Sequence, residues 1–250
     1  MIKLKRKLLK MYMNKQLKNE KIFDNGECKI KHLLIENNNS DKLLVVFSGF
    51  PAGNTPTYNY VLKFKNLKYN KLFILDDLGD DPRGTYYLGK DKDFFIERAV
   101  SQLIDKTTSK FNVDKNNVYT AGSSKGGFAA LYYAYKFGYG KAFAGAPQVL
   151  LGNYLTFHAR RNIMTYISGN DNKTDIDYLN KLLPDVIEKS EYKPDTHIYI
   201  SKSEDHYEDH VIPLTEILRE SNLPYNIEIA SYENHGDVGK GFPSYVLTKI

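Results

Sequence analysis

The sequence predicts an α/β fold, a mostly parallel central sheet with helices on both faces and a helical insertion above its carboxyl edge. Three observations carry this reading. Leu43–Phe47 and Lys71–Leu75 are largely unbroken apolar runs, as expected of strands buried on both faces. Strand-like runs then alternate with segments of helical apolar spacing, the rhythm of parallel strands joined by crossover helices. Finally, Gly122-Ser123-Ser124-Lys125-Gly126-Gly127 stands between an apolar run, Val118–Ala121, and a helix-like stretch, Phe128–Tyr135. A strand that turns through Gly-x-Ser-x-Gly into a helix describes a nucleophile elbow, in which small neighbours let strand and helix approach while the serine oxygen projects outward.

In chain order, residues 1–20 are a basic N-terminal segment. Lys21–Phe23 and Cys28–Ile35 read as two strands joined through Asn25-Gly26, a pair that tolerates the positive φ of tight hairpins; they would form an antiparallel edge. Leu43–Phe47 is a buried strand ending in the turn-rich Ser48–Gly53. Tyr60–Leu67 reads as a short helix, Lys71–Leu75 as another buried strand, and residues 76–84 as its long acidic exit loop. Phe94–Lys110 places Phe95, Ile96, Ala99, Val100, Leu103 and Ile104 on one helical face. The elbow follows, then the strand Lys141–Ala146, ended by Pro147. Residues 149–190 break the rhythm with helices expected over Tyr154–Ile167 and Asp175–Ile187, and read as a lid. The core resumes with His197–Ile200, the helical Ile212–Glu220 and the strand Tyr225–Ala230. The predicted organisation is therefore one domain, 21–250, with a lid insertion at about 149–190, behind the basic segment.

The net charge of +5 is misleading, because residues 1–21 hold eight basic side chains against the single acid Glu20, leaving the rest of the chain at −2. Without a basic face on the body, nucleic-acid binding loses its electrostatic footprint. The basic segment interleaves lysines with Leu4, Leu8, Leu9, Met11 and Met13, a pattern that could make peripheral contact with anionic lipid. Lysines interrupt every candidate signal-peptide core, and no run approaches the roughly 20 apolar residues of a membrane span. The lone Cys28 leaves no disulfide or multi-cysteine metal site, pointing to a reducing, cytoplasmic setting and to ordinary packing for that thiol.

Serine at neutral pH needs a base, and the base an orienting acid. With an elbow serine the expected order is Ser, then Asp or Glu, then His, on loops leaving strand ends. Ser124 is the nucleophile by spacing. His197–Ile200 leads into Ser201-Lys202-Ser203-Glu204-Asp205-His206, and Tyr225–Ala230 leads into Asn234-His235-Gly236. Asp205 is the preferred acid, ahead of Asp209 in the Glu204–His210 cluster, and His235 is the base, with Gly236 leaving room beside it. The oxyanion hole would come from the amides of Lys125 and of Gly49 or Phe50. The Lys125 ammonium either meets an anionic substrate or points to solvent. Asp77, Arg83, Tyr86 and Gln148 fall at loops on the same sheet edge and are candidates for substrate binding, with His158, Arg160 and Arg161 on the lid. His206 and His210, four apart, offer a rival metal site if helical; no metal or other cofactor is assigned.

The strand, elbow, helix and later acid and histidine resemble the α/β-hydrolase superfamily over residues 20–250. More narrowly, Phe47-Ser48-Gly49-Phe50, the Asp76-Asp77 to Arg83–Gly89 loop, Gly122–Gly127 and Gly145-Ala146-Pro147-Gln148 resemble capsular-polysaccharide biosynthesis proteins of the XcbB type, and more distantly the glycan-modifying components of accessory secretion systems. These resemblances imply acyl-ester chemistry on bacterial surface glycans, by hydrolysis or acetyl transfer, with an acylated saccharide or other small acyl ester as substrate. The rivals are a non-catalytic glycan-binding or assembly protein, and a metal-dependent hydrolase built on His206 and His210.

Overall fold

The computed structural model describes residues 11–51 and 53–250. Eight strands form one sheet in the order β1-β2-β4-β3-β5-β6-β7-β8. They are β1 (Lys21–Asp24), β2 (Lys29–Ile35), β3 (Leu43–Phe47), β4 (Asn70–Ile74), β5 (Val118–Ser123), β6 (Lys141–Gly145), β7 (Asp195–Ser201) and β8 (Tyr225–Ala230). β1 pairs antiparallel with β2 and β2 with β4, while β4, β3, β5, β6, β7 and β8 run parallel. The antiparallel edge is thus where the hairpin reading put it, with Gly26 at φ +88° in the turn.

Every residue of β3, β4 and β5 is buried, which is why these strands show no polar alternation. Helices α1 (Phe95–Phe111) and α2 (Lys125–Phe137) supply much of the rest of the core; α2 is buried from Lys125 to Tyr135, so its aromatic residues and alanines pack on all sides. Cys28 is half-buried, and burial pushes its thiol up to about 11, leaving it uncharged and inert at neutral pH.

Two element readings need correction. Residues 60–67 are turns, not a helix: Tyr60 sits at φ +64°, outside the helical region, and Val61 and Phe64 act as buried anchors instead. The first lid helix is broken into α3 (Leu151–Leu155), a 3₁₀ turn at His158–Arg160 and α4 (Arg161–Ser168), because Phe157 adopts φ −57°, ψ 128°, which no helix accommodates. The second expected helix is present as α5 (Lys173–Glu188), which buries Leu179, Leu183 and Ile187 and packs on α2 and α3. After the short helix α6 (Ile212–Glu220), a last helix, α7 (Val238–Lys249), carries Gly239, Gly241 and Pro243 and buries Phe242 and Val246.

Residues 11–18 are helical, and the membrane-contact reading of the basic segment falls mostly on residues 1–10, outside the described residues. No helix among the described residues is long and apolar enough to cross a membrane.

Candidate active site

The parallel strands deliver their carboxyl ends, and the loops that follow, to one edge of the sheet. β5 ends there and α2 begins, with Ser124 between them at φ +57°, ψ −121°. A non-glycine residue held at such a backbone angle is strained and persists only where its surroundings over-determine it. The elbow's glycines do this. A Cβ on Gly122 would run into the Gly126 carbonyl, and one on Gly126 would come within 2.5 Å of the Phe47 carbonyl oxygen. The Ser124 amide is fixed by donation to the Gly145 carbonyl at 2.8 Å. The adjacent Ser123 hydroxyl is engaged with Tyr60 Oη at 2.5 Å, so although both serines line the cavity, Ser124 is the one at the strained elbow position.

That cavity, about 290 Å³, is lined by Ser124 and His235 together with Phe50, Tyr60, Tyr154 and Val238 among others. His235 Nδ1 lies 3.1 Å from Glu204 Oε2, and Tyr232 donates its hydroxyl to Glu204 Oε1 at 3.1 Å. Glu204 is buried, while Asp205 is exposed. The acid that the fold brings to the histidine is therefore Glu204, a correction of the Asp205 reading: the chain turns just after β7, so adjacent side chains diverge and only Glu204 faces inward. Ser124 Oγ accepts a hydrogen bond from Gln148 Nε2 at 2.7 Å and forms none with His235, whose Nε2 has no partner among the described residues; in ligand-free sites such contacts often tighten only with substrate bound.

A second histidine completes the cluster. The His206 ring stacks on His235 with centroids 4.1 Å apart and planes 13° from parallel. Burial above all, then the charges of His235, His210 and Arg160, pushes the His206 imidazole down to about 2, so it is neutral at any working pH. His210 is likewise pushed down to about 4, first by burial, and its Nδ1 accepts from the amides of Val149 and Leu150, both at 3.3 Å. Because Nδ1 accepts these bonds, the neutral His210 ring carries its proton on Nε2, which leaves no free lone pair for the His206–His210 metal pair. The metal-capable grouping among the described residues is Glu204, His206 and His235, with ligand atoms within 4.8 Å of one another. Parallel stacked rings send their in-plane lone pairs side by side rather than to one point, a poor fit to a tetrahedral centre.

The oxyanion candidates separate in the same way. Gly49 donates its amide to Asn59 Oδ1 at 2.9 Å and is unavailable. The amides of Phe50 and Lys125 have no protein acceptor among the described residues, Lys125 being the first residue of α2, where helix amides are unpaired.

The Lys125 side chain faces neither substrate nor solvent. It is fully buried, with Nζ 2.8 Å from Asp76 Oδ2 and 2.7 Å from the Arg83 carbonyl, and burial pulls its ammonium below the ordinary range while Asp76 pulls it back. Asp76 also accepts from the amides of Thr85 and Tyr87 at 2.9 and 3.2 Å, a close wrap that Gly84 permits, since a Cβ there would collide with the Asp76 carboxyl group. The substrate-binding candidates are also engaged internally. Asp77 pairs with Lys31 at 2.6 Å. Arg83 pairs with Asp81 at 2.6 Å and donates to the Ala159 carbonyl, tying the acidic loop to the 3₁₀ turn at His158–Arg160; the bond pair with Arg83 holds the Asp81 carboxyl down at about 2. Tyr86 is fully buried and donates to Gln148 Oε1 at 2.7 Å. Gln148 itself has no exposure. All four make internal hydrogen bonds or ion pairs, and Gln148 also reaches Ser124. Gly236 also differs from its reading, since a Cβ there would meet nothing within 4 Å.

Sequence reading missed Asn59 and Tyr154 as parts of the site, and met His206 only as a candidate metal ligand rather than as a ring stacked on His235.

Comparison with known proteins agrees with this architecture. The family model described as accessory Sec system GspB-transporter matches residues 28–223. No curated protein matches significantly. Among solved structures, the capsule O-acetyltransferase of Neisseria meningitidis serogroup A, in complex with CoA, superposes with a TM-score of 0.80 at 23% identity, covering 94% of this chain and 96% of that one. The Glycosylation Associate Protein (Gap123) complex from Streptococcus agalactiae gives 0.72 at 19% identity, over 92% of this chain and 46% of that one. S-formylglutathione hydrolase (FrmB) from Staphylococcus aureus gives 0.61 at 15% identity, over 92% and 96%. The fold is that of the α/β-hydrolases.

Proposed function

From a chain that belongs to the accessory Sec system GspB-transporter family, we propose a serine-dependent acyl-ester enzyme, an O-acyl transferase or esterase acting on a bacterial surface or capsular glycan. The observation that carries this reading is the strained Ser124 at the elbow, sharing one cavity with a histidine whose far nitrogen is held by a buried carboxylate. The solved capsule O-acetyltransferase and the glycosylation-associated complex support the glycan and the acyl group as substrate class.

In this mechanism His235 Nε2 takes the proton of Ser124 Oγ as Oγ attacks the acyl carbonyl carbon. Glu204 holds the Nδ1 proton and stabilises the imidazolium that forms. The amides of Phe50 and Lys125 receive the tetrahedral oxyanion, as fixed dipoles that need no reorganisation. Collapse breaks the bond to the leaving group, which departs with the proton from His235, and an acyl-enzyme remains. A sugar hydroxyl or water then gives its proton to His235, attacks the acyl carbon and releases Ser124 protonated. The aromatic lining from Phe50, Tyr60 and Tyr154 suits a short acyl group. Turnover of acetyl esters with and without oligosaccharide acceptors tests the reading: release of alcohol accelerated by acceptor marks a transferase, release independent of acceptor an esterase. Saccharide binding with no turnover of any acyl ester contradicts it.

A further inference from the structure

Among the described residues, the one side-chain hydrogen-bond partner of Ser124 Oγ is a buried carboxamide whose other contacts leave it no freedom. Gln148 Nε2 carries two N–H groups: one points at Ser124 Oγ, 2.7 Å away, and the other at His206 Nε2, 3.4 Å away. Its Oε1 accepts from Tyr86 Oη at 2.7 Å. Because an amide NH₂ can only donate, His206 Nε2 is the unprotonated nitrogen, and its proton sits on Nδ1.

The backbone is bent to make this possible. β6 ends at Gly145, and Ala146 follows at φ +41°, a left-handed angle costly to a residue with a Cβ. Its amide is pinned by the Tyr199 carbonyl at 2.8 Å. Pro147 comes next, and Gln148 is delivered beside the serine. Two strained residues, Ser124 and Ala146, thus stand at the ends of neighbouring strands, joined by the bond from the Ser124 amide to the Gly145 carbonyl.

Taking Ser124 as the nucleophile of the reading above, we propose that Gln148 is a catalytic residue, a fixed N–H donor to Ser124 Oγ, with Tyr86 and His206 as its positioning residues. A serine hydroxyl has one proton and two lone pairs. Donation from Gln148 occupies one lone pair, leaves the other for attack and leaves the proton for His235 Nε2. The contribution is largest when the acyl-enzyme breaks down. There the acceptor oxygen bonds the acyl carbon and loses its proton to His235; the C–Oγ bond then breaks with its electron pair passing to Oγ, which takes the proton back from His235. Charge builds on Oγ before that proton arrives, and the Gln148 N–H is already aimed at it. Gln148 gives up no proton. Neutral His206, stacked on His235, keeps its acceptor nitrogen toward Gln148 while His235 cycles through its charged form.

The test separates the two chemical steps with an activated acetyl ester in pre-steady-state kinetics. Gln148→Met, which keeps volume and removes the donor, should slow deacylation by about 10²-fold, the scale seen for loss of one preorganised donor. Acylation by the activated ester should fall far less, so that acyl-enzyme accumulates, with KM lowered accordingly. His206→Phe keeps the stacked ring without the acceptor; it should give a smaller loss of the same kind that vanishes in the Gln148→Met background. Equal losses in both steps, or no loss in a folded variant, overturn the proposal, and additive losses overturn the part of His206. If Gln148→Met does not fold, Tyr86→Phe decides, since losing that one hydroxyl should slow deacylation by about threefold to tenfold, and an unchanged deacylation rate overturns the proposal. A wild type inert to all acyl esters would fail the nucleophile reading itself, a distinct result.

Discussion

Glu204 Oε2 lies 3.1 Å from His235 Nδ1, and Asp205, the next residue, is exposed on the other side of the turn. The two carboxylates are neighbours in sequence, but only one is buried against the histidine. Glu204→Gln should lower kcat by about 10²- to 10⁴-fold, as expected when a triad base loses its orienting acid, whereas Asp205→Asn should stay within about twofold of wild type. Steady-state kinetics of the pair distinguishes them, and the reverse order would reinstate Asp205.

Lys125 and Asp76 form an ion pair with no exposure on either side. Removing one member of a buried pair leaves an uncompensated charge, at a cost of about 3–5 kcal/mol. Lys125→Met should therefore lower the denaturation midpoint steeply. If Lys125 bound substrate instead, the same variant would raise KM and leave stability alone.

His210 supplies a pH-dependent test of stability. Its imidazole is pushed from 6.5 down to about 4, mainly by burial and then by His235 and Arg160. Below 6.5 the unfolded chain takes up a proton that the folded chain refuses until about 4, so stability is fully present above the upper value and is lost as pH falls through this window. A His210→Gln variant takes up no such proton. The melting-temperature advantage of wild type over it should be largest at pH above 7 and shrink toward pH about 4; an advantage that is flat or grows on acidification would contradict the account.

The glycines of the site are not equivalent. Gly122→Ala drives a Cβ into the Gly126 carbonyl, and overpacking against backbone should cost about 3 kcal/mol or more. Gly236→Ala meets nothing and should change stability by no more than about 0.5 kcal/mol. Chemical denaturation of both variants checks the contrast.

What the sequence revealed and what it hid follow from the range of the forces involved. The all-buried strand Leu43–Phe47 was legible because its burial leaves no polar alternation, and the elbow because its glycines answer to local sterics. His235 was legible from chain order. Glu204 was not singled out, since one residue of turn geometry after β7, settled by the distant Tyr232 and His235, decides which carboxylate faces inward. Lys125 read as a substrate or solvent contact because nothing nearby in sequence shows that the acidic loop folds back to place Asp76 against it. Gln148 read as a substrate-binding candidate, although Tyr86, far off in sequence, claims its carbonyl. Helix α7 escaped notice because Gly239, Gly241 and Pro243 argue against a helix locally. Its burial of Phe242 and Val246 prevails.

The central claim is that Ser124 is a nucleophile activated by His235. Its most direct measurement is covalent labelling by a fluorophosphonate probe, followed by mass spectrometry of the modified peptide. The account predicts a single adduct on Ser124, abolished in Ser124→Ala and strongly slowed in His235→Ala. A wild type that does not label, or a Ser124→Ala variant that labels as wild type does, would contradict it.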